Sequence, residues 1–111
     1  MKKIVLIIGY GSIGKRHAKI LKKFNNVQKI YVYTKQKSEG LDKIKNLNQI
    51  KKINPDYIII SSKTSEHYQH LKFLEKKLSK KTILVEKPLF NEYKKLEIKN
   101  NRVIVGYNLR F

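Results

Sequence analysis

Three short segments hold residues whose types and spacing could do chemistry. They are Gly9-Tyr10-Gly11-Ser12-Ile13-Gly14, Ser61-Ser62-Lys63-Thr64-Ser65-Glu66-His67 and Glu86-Lys87-Pro88. The first has the form G-x-G-x-x-G, which means little alone. Here it follows the apolar run Lys3–Ile8 and opens a segment with helical spacing of apolar residues, the context that gives the pattern a mechanism. Gly9 would permit a tight strand-to-helix turn, Gly11 a close approach of a pyrophosphate to the backbone, and Gly14 close packing of helix on sheet. Free N–H groups at the start of such a helix offer donors and partial positive charge to phosphates. Ala18, the only alanine of the chain, falls one turn after Gly14 on the same helix face, where a small residue suits close packing.

A dinucleotide site of this kind ordinarily places a carboxylate about 20 residues further on, where it binds the adenosine ribose. That acid is missing. Tyr33, Thr34, Lys35, Gln36 and Lys37 occupy the region, and the nearest acid is Glu39. Without a carboxylate a 2′-phosphate meets no repulsion, and Lys35 or Lys37 would attract it. The expected cofactor is NAD or NADP, with a slight lean to NADP.

The other two segments each follow a strand-like run, Tyr57–Ser61 and Thr82–Glu86. Together with GYGSIGKRHAKIL at Gly9–Leu21 and VIVGYNLRF at Val103–Phe111, they make the chain resemble the Gfo/Idh/MocA family along essentially its whole length. Glu86-Lys87-Pro88 is the most specific element of that resemblance. Members are NAD(P)-dependent oxidoreductases, mostly of sugars, inositols and related alcohols. The resemblance implies a Rossmann domain over residues 1–111, to be followed by a larger α/β domain that completes the substrate site and forms the oligomer interface. A chain of this length would then hold cofactor without turnover.

By that resemblance Lys87 lies at the nicotinamide and polarises the reacting oxygen, and His67 lies near the nicotinamide. Glu86 could hold Lys87 in place, and Pro88 fixes the loop backbone. His67 also belongs to an apolar stripe with Leu71, Leu74 and Leu78, so packing alone is an alternative. His17 lies on another such stripe and is expected to be buried packing; His70 has no assigned role. The candidate cofactor contacts are Gly9, Tyr10, Gly11, Ser12, Ile13, Gly14, Thr34, Lys35, Ser61, Ser62, Thr64, Glu86 and Lys87. No His, Asp or Glu spacing suggests a metal site. The segment Lys76–Thr82 departs from the family in lacking the glycine that commonly ends the helix before the Glu-Lys-Pro strand.

The elements that must position these residues alternate between apolar blocks and helical patterns, the signature of βαβ units and a doubly wound, mostly parallel sheet of about six strands. Strands are expected at Lys3–Ile8, Lys29–Tyr33, Lys43–Lys45, Tyr57–Ser61, Thr82–Glu86 and Arg102–Tyr107. Ile13, His17, Ile20, Leu21 and Phe24 mark a helix ending near Asn25-Asn26. Short helices are expected over Leu47–Ile53 and Glu92–Lys99, and a longer one over Ser65–Leu78, capped by Thr64 with Glu66 in its first turn. In such a sheet ligands bind at the carboxyl ends of the strands, where the glycine turn, Ser61–Thr64, Glu86–Pro88 and Tyr107-Asn108 all fall.

Composition narrows the choices further. The 111 residues carry 26 Lys and Arg against 8 Asp and Glu, a net charge of +18. Such a charge first suggests nucleic acid. However, 23 of the 26 cations are Lys, spread along the whole chain, and Lys, Ile and Asn make up 47 residues. Base and phosphate readers favour the bidentate fork of Arg. The bias is that of an AT-rich genome, so no nucleic-acid partner is expected. The apolar runs are strand-sized, so neither is a membrane partner. With no cysteine and a strand starting right after Met1-Lys2-Lys3, a cytoplasmic protein is expected. A non-catalytic nucleotide-sensing Rossmann module is the alternative function, but it would have no use for Glu86-Lys87-Pro88.

Overall fold

The computed structural model describes residues 3–24, 26–34, 41–86 and 98–106. Its order is β1 (Lys3–Ile8), α1 (Ser12–Leu21), β2 (Val27–Tyr33), β3 (Asp42–Ile44), a 3-10 turn (Leu47–Gln49) running into α2 (Ile50–Ile53), β4 (Tyr57–Ile60), α3 (Thr64–Lys77), β5 (Thr82–Glu86) and β6 (Arg102–Gly106). The strands form one six-stranded sheet in the order β3-β2-β1-β4-β5-β6, and every pairing is parallel. The order reverses between β1 and β4, so the crevice at their carboxyl ends is the switch point where a doubly wound sheet takes its ligand.

Burial on both faces explains why the central strands read as unbroken apolar runs. Leu6, Ile7, Ile8, Ile58, Ile59 and Ile60 are fully buried. Alternation along each strand divides them between two cores. Leu6, Ile8, Ile58, Ile60, Ile83 and Val85 pack with Leu71, Leu74 and Leu78 of the α3 segment and Ile50 of α2. Val5, Ile7, Ile30, Val32, Ile59 and Leu84 pack with Ala18 and Leu21 of α1.

The local signals act where expected, with shifts at element ends: β2 starts at Val27 instead of Lys29, and β3 runs one residue earlier than Lys43–Lys45. Helix α1 stops at Leu21, short of Asn25-Asn26, and Phe24 sits in the following turn, 37% exposed instead of joining the buried stripe. Lys63 holds the position preceding α3 and Thr64 is the first helical residue, so Thr64 is not the cap. β4 ends at Ile60, which frees Ser61 for the loop.

Other joints follow their residue types. Asn46 and Gln49 form a reciprocal capping box at the 3-10 turn, and Asn54 ends α2 in the left-handed region at φ 47° ahead of Pro55. The Asp56 carboxylate accepts from the Ile4 N–H at 2.9 Å, which pins the start of β4 to β1. Lys80 takes φ 60° in the turn before β5 and donates its N–H to the Asn100 carbonyl. The helix expected over Glu92–Lys99 lies outside the described residues except for Ile98 and Lys99, which are not helical, and Tyr107 also lies outside them.

Candidate functional site

The strand ends bring the glycine turn, Tyr33-Thr34, Ser61–Lys63 and Glu86 to one edge of the sheet. Gly9 has φ +93°, a conformation that side chains rarely adopt. A Cβ there would also lie 2.7 Å from the Ser62 N and Cα atoms. The Gly9 N–H donates to the Tyr33 carbonyl at 2.9 Å. The Ser61 Oγ lies 2.9 Å from the Gly9 carbonyl oxygen and 3.2 Å from that of Ile8, within donating distance of either. β2 and β4 thus grip the turn from both sides.

The second and third glycines do opposite things. A Cβ on Gly14 would run into the Gly9 carbonyl and come within 3.0 Å of the Ser61 Oγ, so α1 lies against its own turn only because Gly14 has none. A Cβ on Gly11 would meet no atom of the described residues within 4 Å. Gly11 is the residue preceding α1, in extended backbone at φ −78°, ψ −162°, and no acidic residue stands in the first turn of the helix. Among the described residues nothing packs where a Gly11 Cβ would stand, so their packing does not demand glycine at the mouth of α1.

On the β2 side, Tyr33 and Thr34 are partly buried. The Tyr33 ring meets His70 of α3 edge to face, with centroids 6.3 Å apart. The His70 Nδ1 is 2.9 Å from the Ser62 Oγ. Burial lowers the His70 pKa below its ordinary 6.5; the Glu66 charge opposes this and His67 adds to it. A neutral ring lets Nδ1 accept from the Ser62 hydroxyl. Tyr10 packs on the α1 core and lies beneath the Lys15 ammonium, 5.8 Å from the ring centroid.

His67 is buried at 1% exposure on α3, which also buries Leu71 and Leu74, and the His67 Nε2 donates to the Ser62 carbonyl at 2.8 Å. The Ser61–Lys63 loop is thus braced from below by two histidines of one helix. Glu86 ends β5 on the sheet face of Leu84, beneath α1. Its Oε1 lies 2.5 Å from the His17 Nε2, with His17 2% and Glu86 8% exposed. Among the described residues Glu86 pairs with His17, so His17 does more than pack; Lys87, which Glu86 was expected to hold, lies outside them. Lys35, Lys37, Lys87, Pro88 and Asn108 lie outside the described residues, as do the side chains of Ser12, Ile13 and Thr64.

Sequence reasoning missed the His17–Glu86 pair and the Ser61 lock on Gly9. The first had a signal: two ionisable residues, one on the buried stripe of α1 and one in register with Leu84 on the sheet. Among the described residues no three His, Asp or Glu side chains gather as a metal would need, and no helix is long and apolar enough to cross a membrane.

A parallel sheet in this order, with a glycine turn opening onto the first helix at the switch point, defines a dinucleotide-binding Rossmann domain. More narrowly, residues 3–107 match the model of the Gfo/Idh/MocA oxidoreductase family, NAD-binding Rossmann fold, and the chain belongs to that family. Among solved structures it is similar to myo-inositol 2-dehydrogenase from Lactobacillus plantarum, with 22% identity and a TM-score of 0.71 over 84% of this chain and 30% of that one. It is also similar to scyllo-inositol dehydrogenase from Lactobacillus casei with bound NAD(H) and scyllo-inositol (19% identity, TM-score 0.69, 83% of this chain, 30% of that one). A third is the WlbA dehydrogenase from Bordetella pertussis in complex with NADH and UDP-GlcNAcA (15% identity, TM-score 0.67, 83% and 31%). The chain thus spans about a third of the length of these proteins. Among curated proteins no sequence matches significantly.

Proposed function

We propose that this chain forms the cofactor half of an oxidoreductase acting on a sugar-, inositol- or related alcohol or ketone, and that the cofactor is a nicotinamide dinucleotide, NADP rather than NAD. The observation that carries the reading is the open space over Gly11. Contacts among the described residues require the glycines on either side of it, whereas none of them requires Gly11, which supports a ligand in the room it leaves. A pyrophosphate fits there chemically, because the free N–H groups and dipole of α1 favour an anion.

In this reading Gly9 through Gly14 cradle the pyrophosphate. Thr34 and Lys35 receive the adenosine ribose or its 2′-phosphate, and Ser61, Ser62 and Thr64 line the crevice from the β4 side. When bound, the dinucleotide supplies a hydride donor or acceptor at the nicotinamide. Lys87, which follows the end of β5, binds and polarises the oxygen of the carbon that gains or loses the hydride; an ammonium does this electrostatically. His67 stands on the nicotinamide side of the crevice, and its Nε2 could exchange a proton only after releasing the Ser62 carbonyl. The family resemblance supplies the rest of the proposal: a second α/β domain that brings the acid–base group and the oligomer interface.

Two measurements test this. Titration of the chain with NADH and NADPH, followed by nicotinamide fluorescence, should show saturable binding of both, tighter for NADPH. No saturable binding of either would refute the reading, and tighter NADH would refute the choice of NADP alone. In the intact protein Lys87→Ala should abolish alcohol oxidation while leaving dinucleotide binding in place; retained activity would remove Lys87 from its role.

A further inference from the structure

The edge of the sheet opposite the glycine turn carries a concave surface of its own. It is a cavity of about 340 Å³ at the amino ends of β5 and β6, lined among others by Lys80, Lys81, Thr82, Lys99 and Arg102. The length of β5, roughly 15 Å, separates it from the dinucleotide crevice, and the two share no residue. Hydrogen bonds between the two chain segments fix its shape. The Lys80 N–H donates to the Asn100 carbonyl at 2.6 Å, the Lys81 N–H to the Asn101 Oδ1 at 2.9 Å, and the Arg102 N–H to the Lys81 carbonyl at 2.9 Å.

The acids bonded to these walls turn away from the cavity's cations. The buried Glu75 carboxylate accepts from the Lys99 and Asn100 N–H groups and from the Asn101 Nδ2. Asp56, whose carbonyl accepts from the Thr82 N–H, gives its carboxylate to the Ile4 N–H. Among the described residues no carboxylate pairs with the side chain of Lys80, Lys81 or Arg102. Two residue choices argue that the surface is used. Lys80 stands at φ 60°, where a side chain costs stability that glycine would spare. Holding a lysine there is explained if its ammonium serves a ligand. Arg102 is one of three arginines against 23 lysines, so it runs against the lysine bias of the chain, and its fork suits phosphate oxygens.

We propose that this cavity binds a small anion carrying two or more linked phosphate groups. One phosphate, with a charge of about −2, balances at most half of the four cationic residues, whereas a chain of phosphates balances them all. No aromatic side chain lines the cavity, so a base has no platform to stack on, which sets nucleic acid aside. The site is independent of the dinucleotide reading above.

The test titrates the chain with inorganic tripolyphosphate at constant ionic strength and follows the backbone amides by NMR. Saturable shifts are expected at Lys80, Lys81, Asn101 and Arg102, while shifts at Gly9–Gly14 report the phosphate turn separately. Lys80→Gly and Arg102→Gln should each weaken binding at this edge by about five-fold or more, the loss of one close charge interaction. Lys51→Gln, which removes an exposed charge from α2, should change it by less than about two-fold. Because Lys80→Gly relieves backbone strain, it should melt above the wild type yet bind more weakly, a separation that a purely structural lysine would not produce. No saturable shift at this edge, shifts spread over lysines on every face, or equal losses in Lys80→Gly and Lys51→Gln each overturn the proposal. Shifts confined to Gly9–Gly14 overturn it as well and leave the dinucleotide reading standing.

Discussion

Replacing the three glycines of the turn one at a time by alanine should separate what folding needs from what the ligand needs. At Gly9 the added Cβ faces two obstacles. A φ of +93° is strained for a side chain, at about 1–3 kcal/mol. The Cβ also lies 2.7 Å from the Ser62 backbone, and overpacking against atoms that cannot swing away costs a further ~1–3 kcal/mol. With a melting entropy of roughly 230 cal/mol/K for a chain of this size, each kcal/mol moves the midpoint by about 4 °C. Gly9→Ala should therefore melt about 15 °C below the wild type. Gly14→Ala gains up to ~1 kcal/mol of helix propensity but meets the Gly9 carbonyl, leaving a net loss of about 1–2 kcal/mol. At Gly11 the backbone already suits an L residue and none of the described residues is near. The gain from restricting the unfolded chain and the small loss at a helix entry nearly cancel, within about 0.5 kcal/mol. Circular dichroism melts and NADPH titrations on the same samples provide the check. Gly11→Ala should melt with the wild type and bind NADPH at least about ten-fold more weakly, because the methyl occupies the approach to the pyrophosphate. A Gly11→Ala protein that binds normally, or a Gly9→Ala protein that melts normally, would refute the assignment.

Two further predictions concern the far side of the fold. Lys80 sits at φ 60°, where a Cβ is strained, so Lys80→Gly should raise the thermal midpoint by about 4 °C, roughly 1 kcal/mol. Acid stability should fall in two stages. Burial keeps the folded-state pKa of His70 below 6.5, so the unfolded chain takes up that proton first; stability is full above about pH 6.5 and declines as pH drops toward the folded value. Burial alone would push the Glu75 carboxyl up, but donors from Lys99, Asn101 and Asn100 outweigh it and hold the pKa below 4.5. Its contribution is present above about pH 4.5 and lost as pH falls through the folded value. Urea midpoints across this range should lose the upper stage in His70→Gln and the lower one in Glu75→Gln.

How much of this could be read beforehand depended on the range of the cause. β1 and β5 match the expected strands to the residue, because a strand buried on both faces announces itself as an apolar run with sharp ends. The glycine pattern located the turn for the same reason: its demands are local. Helix ends were harder. Thr64 is a good capping residue, yet the strand-to-helix geometry put Lys63 in the cap position. The His17–Glu86 pair spans 69 residues and exists only because β5 carries Glu86 under α1, a contact that no local pattern encodes. Lys80 shows the same limit from the other side: lysine gives no hint of left-handed backbone, and only the closed turn, bonded to Asn100, requires it.

The grip on Gly9 by its neighbours has a thermodynamic consequence. Its N–H is held by the Tyr33 carbonyl and its carbonyl by the Ser61 hydroxyl, while the Ser61–Lys63 loop rests on His67 and His70. The concave surface a ligand meets is thus set before the ligand arrives. Ordering loops and side chains opposes association strongly, and a preorganised turn escapes most of that opposition. Phosphate recognition here is closer to the fitting of a key than to the closing of a hand.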